Sequence, residues 1–482
     1  MLRDITNNPE HIFKSRYLDT ALIDYSSGEP KKYTYFDLNE KIDQIASGLL
    51  TINYPPESRI AIIAANSFEY IVTYFAIRRA SFVPVLINYK LSGDQIKKIL
   101  EHSDSKFIFY DDVFENIIPS SIQSLPFSKL SNIESNIPCF TFDDQERAAF
   151  FLYTSGSTGE PKGVVVSTKN RRWTIESQYS LLSNSRTIMS TPMYHMNGLT
   201  NIERDLNNQT LIVLLPSFNA EQYIKLIELY ETDILSIIPP MMAMILANPL
   251  SNYTNFDSVK VIKLGSAPTS KQLYDQIKKR FINANIYLRY GLTEVGPALF
   301  GAAPNNLEQP PMSVGYPKKE IEYKLIDDVL YVKSPSMLRT YHKNNTLYFN
   351  SLTEDGFFNT KDKFRVDENG FYYFIGRADD MFVSGGENIY PAEVQEIIEK
   401  HPDVHQVIVL GLPDEIKGTK PYAFVVKKYG SEVTEEEIQK FVLENAPAYQ
   451  YPRRVWFIDE MPISGTNKIN KIELEMLAKS YL

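Results

Sequence analysis

Two series of short apolar runs, each punctuated by helical segments, constrain this chain more than any other feature of its sequence. In the first series "RIAIIAA", "FVPVLI" and "KFIFYDD" read as strands. Between them, "SFEYIVTYFAIRRA" and "SGDQIKKILEHSD" read as helices, the former with Ser67 placed as an N-cap. "YTYFDLNEKIDQIASGLL" passes from a turn or strand into an amphipathic helix. The second series repeats the pattern: "RAAFFLYT", "TLIVLLP", "DILSIIP", "VKVIKLGSAP" and "NIYLRYGLTE" as strands, with "NAEQYIKLIELYE", "PMMAMILANP" and "SKQLYDQIKKRF" as helices. Short apolar strands joined by helices are parallel strands with crossovers, so the expected class is α/β. Residues 113–147 read as a loop-rich connection, 312–375 as mostly β, and the stretch after 380 as a small domain mixing helices and strands. The expected division is a large N-terminal domain over 1–378, with parallel-sheet α/β subdomains and a small β-rich subdomain, and a smaller C-terminal α+β domain over 379–482.

At 482 residues the chain is long enough for roughly two to four folding units. A net charge of −9 argues against a non-specific nucleic-acid binder, which needs a basic footprint. The single cysteine, Cys139, rules out a disulfide within the chain and a cysteine metal cluster, and a cytoplasmic location is the expectation. The N-terminal residues lack the continuous apolar core of a signal peptide. No stretch approaches the roughly 18 apolar residues of a membrane span, and Pro239-Pro240 would break the most tempting one, "DILSIIPPMMAMIL".

Chemistry is suggested first by "YTSGSTGEPKGV", residues 153–164. Gly156 and Gly159 permit a turn whose amide groups converge on an anion, Thr154, Ser155, Ser157 and Thr158 add hydroxyl donors, and Lys162 adds a mobile cation. A glycine follows that lysine, so no hydroxyl stands ready for Mg²⁺ as in the P-loop of nucleotide triphosphatases. On its own the run reads equally as a Ser/Gly surface loop.

The whole string resembles the phosphate loop of the adenylate-forming superfamily: acyl- and aryl-CoA ligases, adenylation domains of peptide synthetases, and luciferases. Other segments resemble that family's motifs in the same order. They are "PMYHMNGL" (192–199), "GSAP" (265–268), "YGLTE" (290–294), "GFFNTKD" (356–362), "GRADDMFVSGGENIYPAEV" (376–394) and "PISGTNKINK" (462–471). The resemblance runs from about residue 30 to the end. It implies that a carboxylate and MgATP give acyl-AMP and pyrophosphate, after which a thiol displaces AMP. "SGGENIYPAE" is more typical of acyl- and aryl-CoA ligases than of peptide-synthetase domains, which makes CoA the expected acceptor.

The resemblance also implies roles. Thr154, Ser155, Gly156, Ser157, Thr158, Gly159 and Lys162 would hold the departing phosphates. Tyr290 would stack on adenine, with the backbone of Gly265, Ser266, Ala267 and Pro268 on its other face. Gly291 and Thr293 belong to the same signature, Thr293 bonding phosphate oxygens, and Glu294 would ligate Mg²⁺. Asp362 would accept from both ribose hydroxyls, supported by Arg377. Lys468 would be the catalytic cation at the carboxylate and α-phosphate. His195 would gate the acyl site. Asp379 would be the hinge about which a mobile C-terminal domain turns between half-reactions, and Gly385 and Gly386 would pass the pantetheine arm.

Several positions depart from the family pattern. Lys361 stands where glycine is common in the ribose motif, Asn467 where glycine precedes the lysine, and Lys471 where arginine often closes that motif. Leu288 stands where relatives often carry Asn or Gln, so the backbone would read the adenine amino group. "NIERDLNN" (201–208) is polar for this place; Glu203, Arg204 and Asp205 read as a solvated helix face, or alternatively as groups recognising a polar acid. The expected partners are a small carboxylic acid, ATP, Mg²⁺ and CoA. An acyl carrier protein as thiol donor, a luciferase-like oxygenase and a degenerate nucleotide binder stay open as alternatives.

Overall fold

The computed structural model describes residues 16–135, 144–155, 161–178, 185–304, 307–378, 380–384, 387–414, 418–464 and 468–481, with backbone alone for Ser155, Pro161, Asn388 and Gly418. The chain forms two compact units. The first comprises the chain up to Ser266 together with Phe281–Leu299 and Lys333–Gly356; the second comprises Ala267–Arg280, Phe300–Val332 and Phe357–Leu482.

The first unit holds two seven-stranded sheets. One runs in the order Asn285–Leu288, Val261–Leu264, Ile234–Ile237, Arg186–Met189, Leu211–Leu214, Thr20–Asp24 and Lys31–Thr34. Its strands are parallel except for the antiparallel pairing of the last two. The other runs Thr340–Tyr341, Pro161–Ser167, Ala148–Ser155, Val83–Ile87, Arg59–Ile63, Phe107–Tyr110 and Gln123–Pro126. It is parallel from Ala148–Ser155 onward and antiparallel at the other end. The α/β expectation therefore holds. The loop-rich reading of 113–147 does not hold throughout, because Gln123–Pro126 adds an edge strand between two 3-10 helices, Asp112–Ile117 and Phe127–Asn132. That strand is short and half-exposed, so it carries no apolar run to announce it.

The central strands are buried on both faces, as parallel strands between crossover helices must be: every residue of Val83–Ile87 is buried. The helix Phe68–Arg79 is buried on all sides save Glu69. Its Ser67 N-cap accepts from the Tyr70 N–H at 3.1 Å, as the sequence suggested. The neighbouring helix Tyr35–Thr51 starts with a reciprocal box, Thr34 with Asp37.

In the second unit a four-stranded antiparallel ribbon includes Glu322–Ile326, Val329–Lys333, Phe358–Val366 and Tyr372–Arg377. A five-stranded sheet follows, centred on Val404–Asp414 and Gly418–Lys427. Alternation along those two strands divides the core. Val407, Val409, Ala423 and Val425 pack with Val394, Ile398, Ile438 and Val442, whereas Ile408, Leu410, Tyr422 and Phe424 pack with Leu474 and Ala478. Among the described residues no helix is long and apolar enough to cross a membrane.

Candidate active site

In the first unit, Ala148–Ser155 and Pro161–Ser167 pair antiparallel, with Thr154 opposite Lys162 and Ser155 opposite Pro161. Lys162 thus sits on the return strand of a β-hairpin, unlike the P-loop lysine, which opens a helix. Gly156, Ser157, Thr158 and Gly159 lie outside the described residues. Lys162 lines a cleft with His102, Tyr341, His342 and Asn344, and the Tyr153 hydroxyl meets His102 Nδ1 at 2.9 Å.

Two turns leave the carboxyl ends of adjacent parallel strands, the place where open α/β sheets bind ligands. Gly265 and Ser266 follow Val261–Leu264, and Ser266 adopts a left-handed backbone, φ +68°. Tyr290 to Glu294 follow Asn285–Leu288. The second turn closes through Leu292 and Gly296, whose N–H groups each donate to the other's carbonyl at 3.1 and 2.9 Å. Gly291 has no room for a side chain there: a Cβ would lie 2.4 Å from the Gly296 carbonyl oxygen. Glu294 is oriented from two sides. Its carbonyl accepts from the Leu338 N–H at 2.7 Å, and its Oε1 accepts from the Tyr341 hydroxyl at 3.2 Å. Burial, with Glu294 itself adding, pushes the Tyr341 phenol well up, so it stays a donor. His195 precedes the helix Met196–Asn207 as its N-cap residue, with its ring 4.5 Å from that of Tyr194. Thr293 is half-buried in the signature turn.

In the second unit, which Ala267 and Pro268 open, Asp362 and Arg377 face each other across the antiparallel pair Phe358–Val366 and Tyr372–Arg377. The Arg377 Nη1 lies 3.3 Å from the buried carboxylate. Thr360 supports it by accepting from the Asp362 N–H at 3.1 Å while donating to the Leu330 carbonyl at 2.7 Å. Lys361, between them, has φ +58°. That left-handed conformation explains why glycine suits this position and why lysine here is strained. Lys468 is exposed; its carbonyl accepts from the Ser464 N–H at 2.6 Å, and Ile463 pairs with Ile469. Lys471 bonds Asp380 at 2.5 Å. Asp379, Gly385 and Gly386 lie outside the described residues.

The polar segment 201–208 is where the solvated-face reading fails. Asn201, Glu203, Arg204, Asp205 and Asn207 are all buried. Glu203 accepts from the Tyr74 hydroxyl at 2.5 Å and from Arg78 at 2.7 Å, and its other oxygen accepts from Arg171 Nε. Arg204 bonds Asp205, Asn201 and Ser236. Charged residues are usually exposed, but here partners from other elements satisfy them, and no local pattern reveals those partners. Tyr341, Lys263, Arg289 and Arg171 were likewise not singled out. Lys263, a charge inside the apolar run "VKVIKL", was the one visible signal.

Residues 12–342 match the model of the AMP-binding enzyme family and residues 393–468 that of the AMP-binding enzyme C-terminal domain. The 2-succinylbenzoate–CoA ligase of Bacillus cytotoxicus is 28% identical over 93% of this chain and 94% of its own. That of Listeria monocytogenes is 27% identical over 95% and 96%. Among solved structures, the o-succinylbenzoate CoA synthetase of Bacillus subtilis in complex with AMP superimposes with a TM-score of 0.84 at 25% identity, covering 97% of this chain and 98% of the other. The anthranilate CoA ligase AuaEII, with anthranoyl-AMP, shares the fold at a TM-score of 0.89 and 21% identity, over 100% and 99%. The chain belongs to the AMP-binding, adenylate-forming enzyme family.

Proposed function

We propose that the protein joins an aromatic carboxylic acid to CoA in two half-reactions. A carboxylate oxygen attacks the α-phosphorus of ATP, the bond to the β-phosphate breaks, and pyrophosphate leaves. The CoA sulfur then attacks the acyl carbon and AMP departs with its bonding electrons. The observation that carries this reading is likeness to 2-succinylbenzoate–CoA ligases along nearly the whole chain.

This chain's residues have separate parts in it. Thr154 and Lys162, opposed on their hairpin, grip the leaving phosphates, with Ser155, Gly156, Ser157, Thr158 and Gly159. Gly265, Ser266, Ala267 and Pro268 border adenine, Tyr290 stacks on it, and Gly291 keeps the turn tight. Thr293 donates to phosphate oxygen. Asp362, fixed by Arg377 and Thr360, accepts from the ribose hydroxyls. Glu294 is a hard oxygen donor of the kind Mg²⁺ takes, together with oxygens of the triphosphate, and the metal when bound offsets phosphate charge. His195 borders the acid. Lys468 stabilises negative charge growing on the carboxylate and α-phosphate. The working domain division stays at 378/379, with Asp379 as hinge and Gly385 and Gly386 beside the pantetheine arm.

The test is ATP–pyrophosphate exchange over 2-succinylbenzoate, benzoate and anthranilate, followed by mass spectrometry with CoA and, separately, with a phosphopantetheinyl carrier protein. Exchange with an aromatic acid and a CoA thioester are expected. Lys468→Ala should lower exchange about 10²- to 10³-fold without changing Tm, since the side chain is exposed. Wild-type exchange in that variant would remove Lys468 from the chemistry. Thioester on the carrier protein alone would replace CoA as acceptor.

A further inference from the structure

The hairpin that carries Thr154 and Lys162 rests on two histidines that no nucleotide role uses. His102 belongs to the helix Gly93–Ser103, and His342 follows the edge strand Thr340–Tyr341. That edge strand pairs with the return strand Pro161–Ser167. One residue beyond Lys162, the Gly163 carbonyl accepts from the His342 N–H at 2.8 Å. Across the hairpin Tyr153 stands opposite Gly163. Gly163 fits between the two side chains: a Cβ there would lie 3.1 Å from the Tyr153 ring and 3.2 Å from the His342 Cβ. The Tyr153 hydroxyl bonds His102 Nδ1 at 2.9 Å, and the His102 and His342 rings meet edge to face, 5.3 Å between centres. Tyr153, Gly163, His342 and His102 thus close a ring of contacts at the base of the hairpin.

One imidazole of this ring has a nitrogen to spare. His342 Nε2 is buried and makes no hydrogen bond among the described residues. Asp104 Oδ2 lies 3.7 Å from it, but that carboxylate already holds Lys343 at 2.9 Å and Arg59 at 3.1 Å. The same cleft is lined by Lys162 and Tyr341. Burial first, then His102, Arg59 and Lys343, hold the His342 imidazole below its usual range, while Asp104 pulls the other way. The ring is therefore neutral near pH 7 in the ligand-free chain. A polyphosphate on Lys162 brings negative charge to this cleft, and nearby negative charge favours the imidazolium.

We propose that His342 is a positioning residue of the phosphate-loop hairpin and takes up one proton from solvent as a polyphosphate anion seats on Lys162. This rests on the ligase reading above. The proton ends on an imidazole nitrogen, and no other covalent bond forms or breaks. The charged ring pairs with Asp104, while its backbone N–H keeps Gly163 in place. The coupling has a direction. A ligand whose binding carries a proton in with it binds more tightly at low pH, and its affinity falls as pH rises through the imidazole range.

Titration calorimetry of MgATP into the full chain, from about pH 5.5 to about pH 8 and in buffers of different ionisation enthalpy, counts the protons. Magnesium keeps the triphosphate ionised over this range, so the uptake reports on the protein. Wild type should take up a fraction of one proton per ATP near pH 6 and almost none near pH 8. His342→Gln keeps the backbone bond to Gly163. It should lose the uptake, bind MgATP about 2- to 5-fold more weakly near pH 6, and match wild type near pH 8. In pyrophosphate exchange near pH 6 its KM for ATP should rise with kcat little changed.

Asp104→Asn supplies a second variant. Asp104 has φ +54°, a conformation that asparagine also takes, so the turn is kept while the carboxylate that favours the imidazolium is gone. Its window of uptake should move to lower pH. Uptake that persists in His342→Gln overturns the inference, as does weakening of that variant equally at both ends of the pH range, or an unmoved window in Asp104→Asn. Wild type that binds MgATP with no uptake near pH 6 overturns it too and leaves the ligase reading standing. If MgATP does not bind wild type at any pH, the ligase reading falls with it.

Discussion

Glu203 sits between two guanidiniums and a phenol, with its side chain 5% exposed. It ties the helix Phe68–Arg79, through Arg78, to the helices Thr168–Glu176 and Met196–Asn207, through Arg171 and itself. Removing one partner of such a network strands the others as buried charges. Glu203→Ala should therefore cost about 3–5 kcal/mol, read by urea denaturation. A loss under about 1 kcal/mol would mean that water reaches Arg78 and Arg171. Tyr341 illustrates the same principle for the candidate site: 47 residues beyond Glu294, it holds that carboxylate by one hydrogen bond. Neither partnership can be read locally, because each joins residues far apart in the chain.

Among the elements, the ribbon Phe358–Val366 with Tyr372–Arg377 shows local geometry constraining a site. The bend at Lys361 lets the chain present Thr360 and Asp362 as it does, and the φ of +58° falls on a side chain that disfavours it. Lys361→Gly should remove that strain. Because glycine also frees the unfolded chain, the net gain should be no more than about 1 kcal/mol. A clear loss in denaturant melts would show that the lysine side chain stabilises the ribbon. The motif spacing made Asp362 and Arg377 legible as partners through family likeness, and the pairing register places them opposite each other. Of the helix Met196–Asn207, the sequence suggested a helix face only around Glu203 to Asp205, and gave no sign of its surroundings. Periodicity reports which face is apolar, and burial of the polar face depends on what packs there.

For the molecule as a whole, folding couples to protons at Glu399, the last residue of the helix Pro391–Glu399. Burial first, then the neighbouring Glu396, push it up to about 7, while a hydrogen bond with Ser270 pulls the other way. The folded chain thus holds this proton more tightly than the unfolded one, whose glutamate titrates near the usual value of about 4.3. The associated stability is present below that value and is lost as pH rises through about 7. Glu399→Gln should thus match wild type near pH 4, exceed it increasingly as pH rises, and level off above about 7, read as the difference in Tm between the two proteins. A difference independent of pH would mean that Glu399 is ionised throughout.

The sequence by itself determined the α/β class, the strand and helix alternation, and the order of the motifs, since each rests on local pattern: apolar period, caps, turn residues and short signature strings. The tertiary structure alone decided that the polar stretch 201–208 is interior, that Lys162 returns on a strand opposite Thr154, and that His102, Tyr153 and His342 gather at the base of that hairpin. Those features depend on sheet order and register, which bring residues from distant elements side by side. The energy of a buried charge depends on the groups it meets, and those are chosen only when the chain has folded.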